Sequence, residues 1–174
     1  MKFDSKTMEE QSVLQTAARM CAAARTAPKA KGIDRIDTIV LTGEDKDAVA
    51  DRMEAIYEAS APANGFFKRD AGNVRASGAI VLIGTKKGCA GLNPCSFCGF
   101  ENCGDCSAKG GSCAFDYINL GIAVSSAAVV AHNDFADNRI MFTIGRAWMD
   151  LNGDDMVWLG IPVSVTGKSK YFDR

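Results

Sequence analysis

Six of the seven cysteines of the chain crowd into one short segment, from Cys89 to Cys113, and only Cys21 lies elsewhere. The segment has the spacing Cys-x5-Cys-x2-Cys-x4-Cys-x2-Cys-x6-Cys, with glycines between the thiols and no histidine. A small secreted scaffold would spread its cysteines along the chain to pair them as disulfides. The bunching therefore indicates metal ligation or redox chemistry, and it is the strongest constraint on what the chain does.

The rest of the sequence is typical of an ordinary soluble domain, and we expect the protein to be cytoplasmic. Its 174 residues are enough for one buried core. The amino-terminal stretch carries acids where a signal peptide needs an apolar run, and no apolar stretch has the length of a membrane span. The net charge of −1 gives no sign of a nucleic-acid or membrane partner.

Four thiolates can hold one [4Fe–4S] cluster, and the glycines of the segment allow the tight turns that wrapping a cluster needs. Nearby Lys86, Lys87 and Lys109 would offset part of its negative charge. Zinc is an alternative, because two Cys-x2-Cys pairs are present, but only four residues separate them, where about 12 or more are usual between zinc pairs. A metal-free dithiol or a plain loop is a third interpretation.

Hydrophobic periodicity predicts helices alternating with a few strands around one sheet, in a single domain. Thr7 and Glu10 have the spacing of a capping box, and Cys21 lies on the apolar stripe of the first helix as a small core residue. The predicted elements are a helix over 7–25, a strand over 36–42, a helix from 45 to about 59 that ends near Pro62 and Gly65, a strand over 79–84, a buried helix after the cysteines, a helix capped by Asn138 and running through Leu151, and a strand over 156–165. Residues 64–78 stay unassigned.

Two further features concern the second half of the chain. Small residues at Gly121, Ala123 and 125–128 would let another helix approach the buried helix closely. His132, the one histidine, falls where that helix ends and is interpreted as a helix carboxyl-terminal cation. Asp137, Asn138 and Arg139 are accounted for mainly by capping. Trp148 and Trp158 are interpreted as core residues.

Several long motifs resemble a family of ferredoxin-domain-containing proteins of anaerobic bacteria and archaea. They are "NPCSFCGFENC", "CAFDYINLGIAVSSAAVVA", "DNRIMFTIGRA" and "GIPVSVTGKSKYFDR", and the likeness extends back through "AARTAPKAKGIDRIDT". The four-cysteine iron–sulfur pattern of that family falls on Cys95, Cys98, Cys103 and Cys113. Cys89 and Cys106 lie outside the pattern, so which four cysteines ligate stays open. The resemblance implies a cofactor but no reaction.

The scaffold also resembles the flavin-dependent nitroreductases. The segment "AARTAPKAKG" is similar to the amino-terminal part of that fold, where a helix ends and a strand follows. The segment "NLGIAVSSAAVVA" is similar to its long central helix. The resemblance implies an α+β domain over 1–174, with a mixed sheet, flanking helices and a cysteine-rich loop inserted at 89–113. It also implies a homodimer, in which a carboxyl-terminal arm at 166–174 reaches over the partner. FMN would be a second cofactor, with Arg25, Lys29 and Lys168 as the nearest phosphate-binding cations.

Two functions follow from different interpretations of the cysteines. The first is an electron-transfer protein or oxidoreductase that carries a [4Fe–4S] cluster and exchanges electrons with a redox partner protein or a small-molecule acceptor. The second is a structural or interaction module, in which zinc or a non-catalytic cluster only orders the loop. The chain has no Walker sequence, no dinucleotide-binding fingerprint and no serine nucleophile elbow, so an ordinary hydrolase or nucleotide enzyme is not indicated.

Overall fold

The computed structural model describes residues 1–60 and 64–172. Helices and strands follow one another in nearly the predicted order. They are α1 (Ser5–Thr26), a short 3₁₀ turn (Ala30–Gly32), β1 (Ile36–Leu41), α2 (Gly43–Ser60), α3 (Gly65–Ala76), β2 (Ala79–Thr85), α4 (Cys103–Ala108), α5 (Ala114–Asn133), β3 (Asp137–Asn138), α6 (Phe142–Asn152) and β4 (Val157–Ser164).

The described strands form one antiparallel sheet in the order β1-β2-β4-β3. The expected α+β class is confirmed, but every described pairing is antiparallel, so the sheet within this chain is not the mixed one that was expected. Central β2 is buried at every residue. Its continuous apolar run predicted a strand covered on both faces, because alternate side chains point to opposite sides of a sheet.

Helices cover both faces of the sheet, and each face has its own core. On one face α1 and α5 pack against Val81, Ile83 and Ile161. On the other face α2, α3 and α6 pack against Ile80, Leu82 and other buried side chains. The fold is therefore three layers thick, and the cysteine loop leaves it at the end of β2.

Two predicted details of the helices are wrong, and one unassigned segment is a helix. Helix α1 is capped by Asp4, whose carboxylate accepts the Thr7 backbone N–H at 2.9 Å, rather than by Thr7 itself. Asn138 lies in β3, and α6 begins only at Phe142. The unassigned segment forms α3. Pro62, predicted to help end the preceding helix, lies outside the described residues.

Gly145 occupies the middle of α6 because the helix lies directly on β4. A Cβ atom built on Gly145 would fall 1.8 Å from the backbone oxygen of Trp158. Glycine costs helix stability through its backbone entropy, but here no other residue fits the contact. Trp158 is buried in the core beneath it, as predicted.

Helix α5 is the central helix of one layer. Ala123 and Ala127 face inward into the core that α1 shares, whereas Gly121 and Ser125 are exposed. Among the described residues α5 is the one helix long and apolar enough to cross a membrane on length and composition. Its contacts with α1 and the sheet are those of a core helix in a soluble fold.

Candidate metal centre in the cysteine loop

The loop between β2 and α5 is shaped by tight turns and one short helix. Gly99 and Gly110 have φ values of 81° and 66°, which side chains with a Cβ rarely adopt. Helix α4 begins at Cys103 and is capped by Asn102, whose side-chain oxygen accepts the Asp105 N–H at 2.9 Å. These local features bend the chain so that distant cysteines face one another.

The four cysteines predicted as ligands, Cys95, Cys98, Cys103 and Cys113, line one cavity. The cavity is small, with a volume of about 10 Å³, close to the space that one water molecule needs. Its other walls are largely apolar and come from Ala90, Leu92, Phe97, Phe100, Ala114 and Phe115, with Ser96 and Asn102 as polar neighbours. The fold thus brings together four thiols that the sequence spreads over nineteen positions, from Cys95 to Cys113.

Cys89 and Cys106 do not line the cavity, but they lie close to the thiols that do. Burial raises the pKa of Cys106 to about 11, and a hydrogen bond with the Cys98 thiol adds to the increase. Burial also raises the pKa of Cys89, with further contributions from the charges of Cys103 and Cys113. The Cys89 thiol donates to the Cys103 carbonyl at 3.7 Å. Cys89 therefore contacts the backbone of one cavity cysteine, and Cys106 contacts the side chain of another.

The donor set has the chemistry of an iron–sulfur site, because four cysteines line the cavity and a [4Fe–4S] cluster takes each of four thiolates on a different iron. Within residues 1–60 and 64–172, however, no three His, Cys, Asp or Glu side chains lie close enough together to hold a metal ion. All seven cysteines are free thiols, so none is withdrawn into a disulfide.

Asp116 links the two ends of the cysteine loop. Its buried carboxylate accepts a hydrogen bond from Arg35 Nη1 at 3.0 Å and another from the Gly88 backbone N–H at 2.8 Å. Arg35 Nη2 in turn donates to the Cys89 carbonyl at 2.9 Å. Sequence reasoning missed both residues, because an acid in the first turn of a helix and an arginine before a strand are common anywhere.

Cys113 occupies the amino-terminal cap of α5. Its side chain makes no capping hydrogen bond to α5. The loop and the start of the core helix therefore both contribute cysteines to the cavity.

The three cations predicted to bind the FMN phosphate do not all lie near one another. Arg25 Nη2 pairs with Asp34 at 2.7 Å, and Lys29 Nζ lies beside them, donating to the Arg25 and Ala27 carbonyls at 2.6 and 2.9 Å. Lys168 follows β4 at the opposite end of the sheet, because Val163 pairs with Ala79 whereas Ile36, next to Arg25, pairs with Thr85.

Beside Arg25 is an open groove of about 520 Å³ that Arg35 and Lys86 also line. Neither of these two cations was predicted as a phosphate ligand. Their approach to Arg25 depends on the strand pairing of β1 with β2, which the sequence pattern does not specify. FMN binding stays a prediction, and two carboxylates, Asp34 and Asp37, line the same groove as the three cations.

The carboxyl-terminal arm packs on its own chain through Tyr171. This side chain is buried, and its hydroxyl hydrogen-bonds Ser77 Oγ at 3.0 Å and Ser164 Oγ at 2.8 Å. Arg139 Nη1 donates to the Tyr171 carbonyl at 3.3 Å. The arm expected to reach over a partner is thus anchored on its own chain at Tyr171, whereas Phe172 is exposed and residues 173–174 lie outside the described residues. His132 lies exposed in the last turn of α5, as predicted.

Solved structures with the same fold are nitroreductases. An FMN- and NADPH-dependent nitroreductase of Sphigopyxis sp. strain HMH matches with a TM-score of 0.56 at 14% identity, covering 88% of this chain and 79% of that one. A protein of Desulfovibrio desulfuricans solved in complex with FMN matches with a TM-score of 0.57 at 15% identity, covering 91% and 77%. At this identity the likeness establishes the fold.

Sequence comparison identifies the family. A profile described as "Uncharacterized protein containing a ferredoxin domain (DUF2148)" matches residues 109–174, which include Cys113 but none of the other loop cysteines. A protein of Archaeoglobus fulgidus, described as "Uncharacterized protein", is 40% identical over 184 aligned residues that span 100% of this chain and 98% of the relative. With a relative this similar along its whole length, the chain belongs to the family of ferredoxin-domain-containing proteins, here built on the nitroreductase fold.

Proposed function

We propose that this protein is a redox protein in which Cys95, Cys98, Cys103 and Cys113 bind a [4Fe–4S] cluster. The observation that carries the proposal is that these four side chains line one largely apolar cavity. When bound, such a cluster accepts and donates single electrons. The ferredoxin domain of the family and the oxidoreductases that share the fold support the same chemistry.

The residues of this chain have distinct tasks in that function. The cavity cysteines supply the sulfur ligands, and Phe97, Phe100 and Phe115 form apolar walls beside them. Cys113 lies at the start of α5, so the core helix fixes the position of this ligand. Arg35 and Asp116 fix the backbone at Cys89, and Cys106 packs behind Cys98. Burial and hydrogen bonding of this kind set the potential of an iron–sulfur site.

FMN is proposed as a second cofactor on weaker support, namely the fold shared with FMN-binding proteins. Arg25, beside the groove, is the best placed of the three predicted cations, because Arg35 and Lys86 lie next to it. Lys29 is nearly buried and its ammonium already donates to backbone oxygens. Whether the protein catalyses a reaction or only carries electrons depends on this flavin, and the electron acceptor would be a partner protein or a small molecule.

A homodimer through α5 and α1 is part of the proposal. Ile118, Ile122 and Val129 of α5 are 43%, 37% and 57% exposed, and Leu14 of α1 is 53% exposed. Exposed aliphatic side chains on adjacent helices are typical of an interface. Light scattering after gel filtration is expected to give twice the chain mass, and Ile122→Glu is expected to give the monomer.

A cytoplasmic location is proposed because the loop needs reduced thiols.

Anaerobic purification with iron and sulfide reconstitution tests the cluster. The wild-type protein is expected to bind about four iron and four acid-labile sulfide per chain and to show a broad visible absorbance that dithionite bleaches. Cys103→Ser should lose this absorbance, and Cys21→Ser, a matched substitution on α1 away from the loop, should keep it. A folded protein that binds zinc and does not respond to dithionite would overturn the proposal and favour the structural module. Heat extraction of the same sample tests for flavin.

A further inference from the structure

One wall of the cysteine cavity is an aromatic pair that core packing does not explain. The rings of Phe97 and Phe115 stack with centroids 5.4 Å apart and planes 13° apart. Phe97 is nevertheless 70% exposed, so only its inner face is covered. The stack, rather than burial in the core, holds this ring at the edge of the cavity.

The pair joins the two ends of the ligand set. Phe97 lies between Cys95 and Cys98 in sequence, and Phe115 comes two residues after Cys113 in the first turn of α5. Both rings line the same cavity as those cysteines. The stack therefore fixes the Cys95–Cys98 turn against the start of the core helix through side chains alone.

A third ring supports the wall from the side. A Cβ atom at Gly111 would fall 2.5 Å from the ring of Phe100, so Phe100 packs directly on the backbone there. Phe100 also lines the cavity. Because the inner wall is held tightly, the outer Phe97 ring is the part of the wall best able to vary access to the thiols.

We propose that the Phe97–Phe115 stack is a cover that holds Cys95 and Cys98 beside Cys113 before the cluster binds and limits access of solvent and oxidant afterwards. Phe97 is thus a positioning residue rather than a ligand. The second half of this statement rests on the proposed cluster function, whereas the first half concerns the thiols alone.

Thiol alkylation of the metal-free protein tests the first half. Phe97→Ala should speed the reaction of Cys95 and Cys98 with iodoacetamide, located by mass spectrometry, by about three- to tenfold, the range an aromatic contact supports. Phe97→Tyr keeps the stack and should stay close to wild type. Phe172→Ala removes a phenylalanine that is 97% exposed and does not line the cavity, so it should change nothing. The rate at Cys21 reports global unfolding in each variant.

Cluster loss tests the second half. After anaerobic reconstitution, Phe97→Ala should lose its visible absorbance to air or to an iron chelator by about the same factor faster than wild type, and Phe97→Tyr should not. Unchanged alkylation and unchanged cluster loss in Phe97→Ala would overturn the cover, as would a Phe97→Tyr variant that behaves like Phe97→Ala. If Phe97→Ala also exposes Cys21, the variant has unfolded, and Phe97→Leu replaces it because leucine keeps apolar volume without the stack. The alkylation rate and the rate of cluster loss of Phe97→Leu then decide whether the stack is a cover. A wild type that binds no cluster refutes the proposed function, and the alkylation rates still decide the cover.

Discussion

Strand β2 and the cysteine loop that follows it are adjacent in sequence but held together by different forces. Every residue of β2 is buried, and the strand pairs with a neighbour on each side. In the loop the buried residues are few, and isolated turns such as Gly99 N–H to Ser96 O at 3.0 Å replace the ladder. The sheet is stable through its own side chains, whereas the loop leaves its cavity to be filled by something else.

This difference indicates that a bound cofactor would stabilise the loop rather than the core. Burial of apolar surface stabilises the core without any ligand, so the core should fold in the metal-free protein. The loop is ordered by the Asp116 contacts, its turns, the short helix α4, the Cys89–Cys103 contact and its aromatic wall. Binding a metal group through several thiolates would add its binding free energy to that local order.

The largest expected effect separates the four cavity cysteines from the two behind them. Cys98→Ser should abolish stable cluster binding, because one ligand is lost, while Cys106→Ser and Cys89→Ser should keep most of the iron. Iron content and dithionite-bleachable absorbance measure the outcome. Neither class should change the denaturant midpoint of the metal-free core. A cluster that survives Cys95→Ser but not Cys106→Ser would show that a different four cysteines ligate.

A substitution at the contact of α6 with β4 should affect only the core. Gly145→Ala places a methyl group against the Trp158 carbonyl and should lower the free energy of unfolding by about 3 kcal/mol through overpacking. Gly72→Ala, in the helix α3, meets nothing within 4 Å and should gain about 0.5–1 kcal/mol. Urea unfolding with and without iron should give the same differences. A Gly145→Ala cost that appears only in the loaded protein would contradict the separation of core and loop.

Asp116 lies at the boundary between the two regions. Asp116→Asn keeps the shape but turns one acceptor into a donor that faces Arg35 or the Gly88 N–H, and should cost about 2 kcal/mol. Hydrogen exchange should rise at 86–90 and stay unchanged in β2. Asp37→Asn, an exposed acid on β1, is the matched control and should change neither quantity. Equal exchange in β2 and the loop would mean that the carboxylate stabilises the whole domain.

The smallest expected effect concerns the arm and has a pH dependence. Tyr171→Phe removes a hydroxyl that bonds Ser77 and Ser164 and should cost about 1 kcal/mol near neutral pH. Burial raises the pKa of Tyr171 above its usual value, against the lowering by its two serine partners. The folded state therefore keeps the proton longer than the unfolded state, so wild-type stability falls as pH rises beyond about 10.

Tyr171→Phe lacks this titration, so its deficit should shrink between neutral pH and about pH 11. Unfolding curves at both pH values measure it. A deficit that grows with pH would show that the hydroxyl does not titrate as a buried group. Gel filtration of Tyr171→Phe also tests the dimer, since loss of the dimer would link the arm to a partner.

Most of the fold could be predicted because its signals are local. The apolar run of β2 and the periodicity of α1 and α5 depend on neighbouring residues, and these elements lie within a few positions of the prediction. The ends of the helices were less predictable. Asp4 and Thr7 both suit an amino-terminal cap, and only the folded backbone selects Asp4. The antiparallel direction of the whole sheet depends on loop paths that periodicity does not report.

The candidate site divides in the same way. The cysteines were found because they cluster in sequence, so a short loop suffices to bring them together. Arg35 and Asp116 are 81 positions apart and meet only through the packing of β1 beside α5. Lys168 and Arg25 seemed comparable as isolated cations, but strand register places them at opposite ends of the sheet.

The Asp116 carboxylate has a further consequence for how this family can vary. Because it binds the Gly88 N–H from the first turn of α5, the cysteine loop departs from the core and returns to it at a single point. A loop whose two ends lie together can become longer or shorter, or be replaced by another loop, without moving a strand. The same scaffold could thus accept a transplanted loop of different ligand spacing, which makes it a convenient host for comparing metal-binding segments.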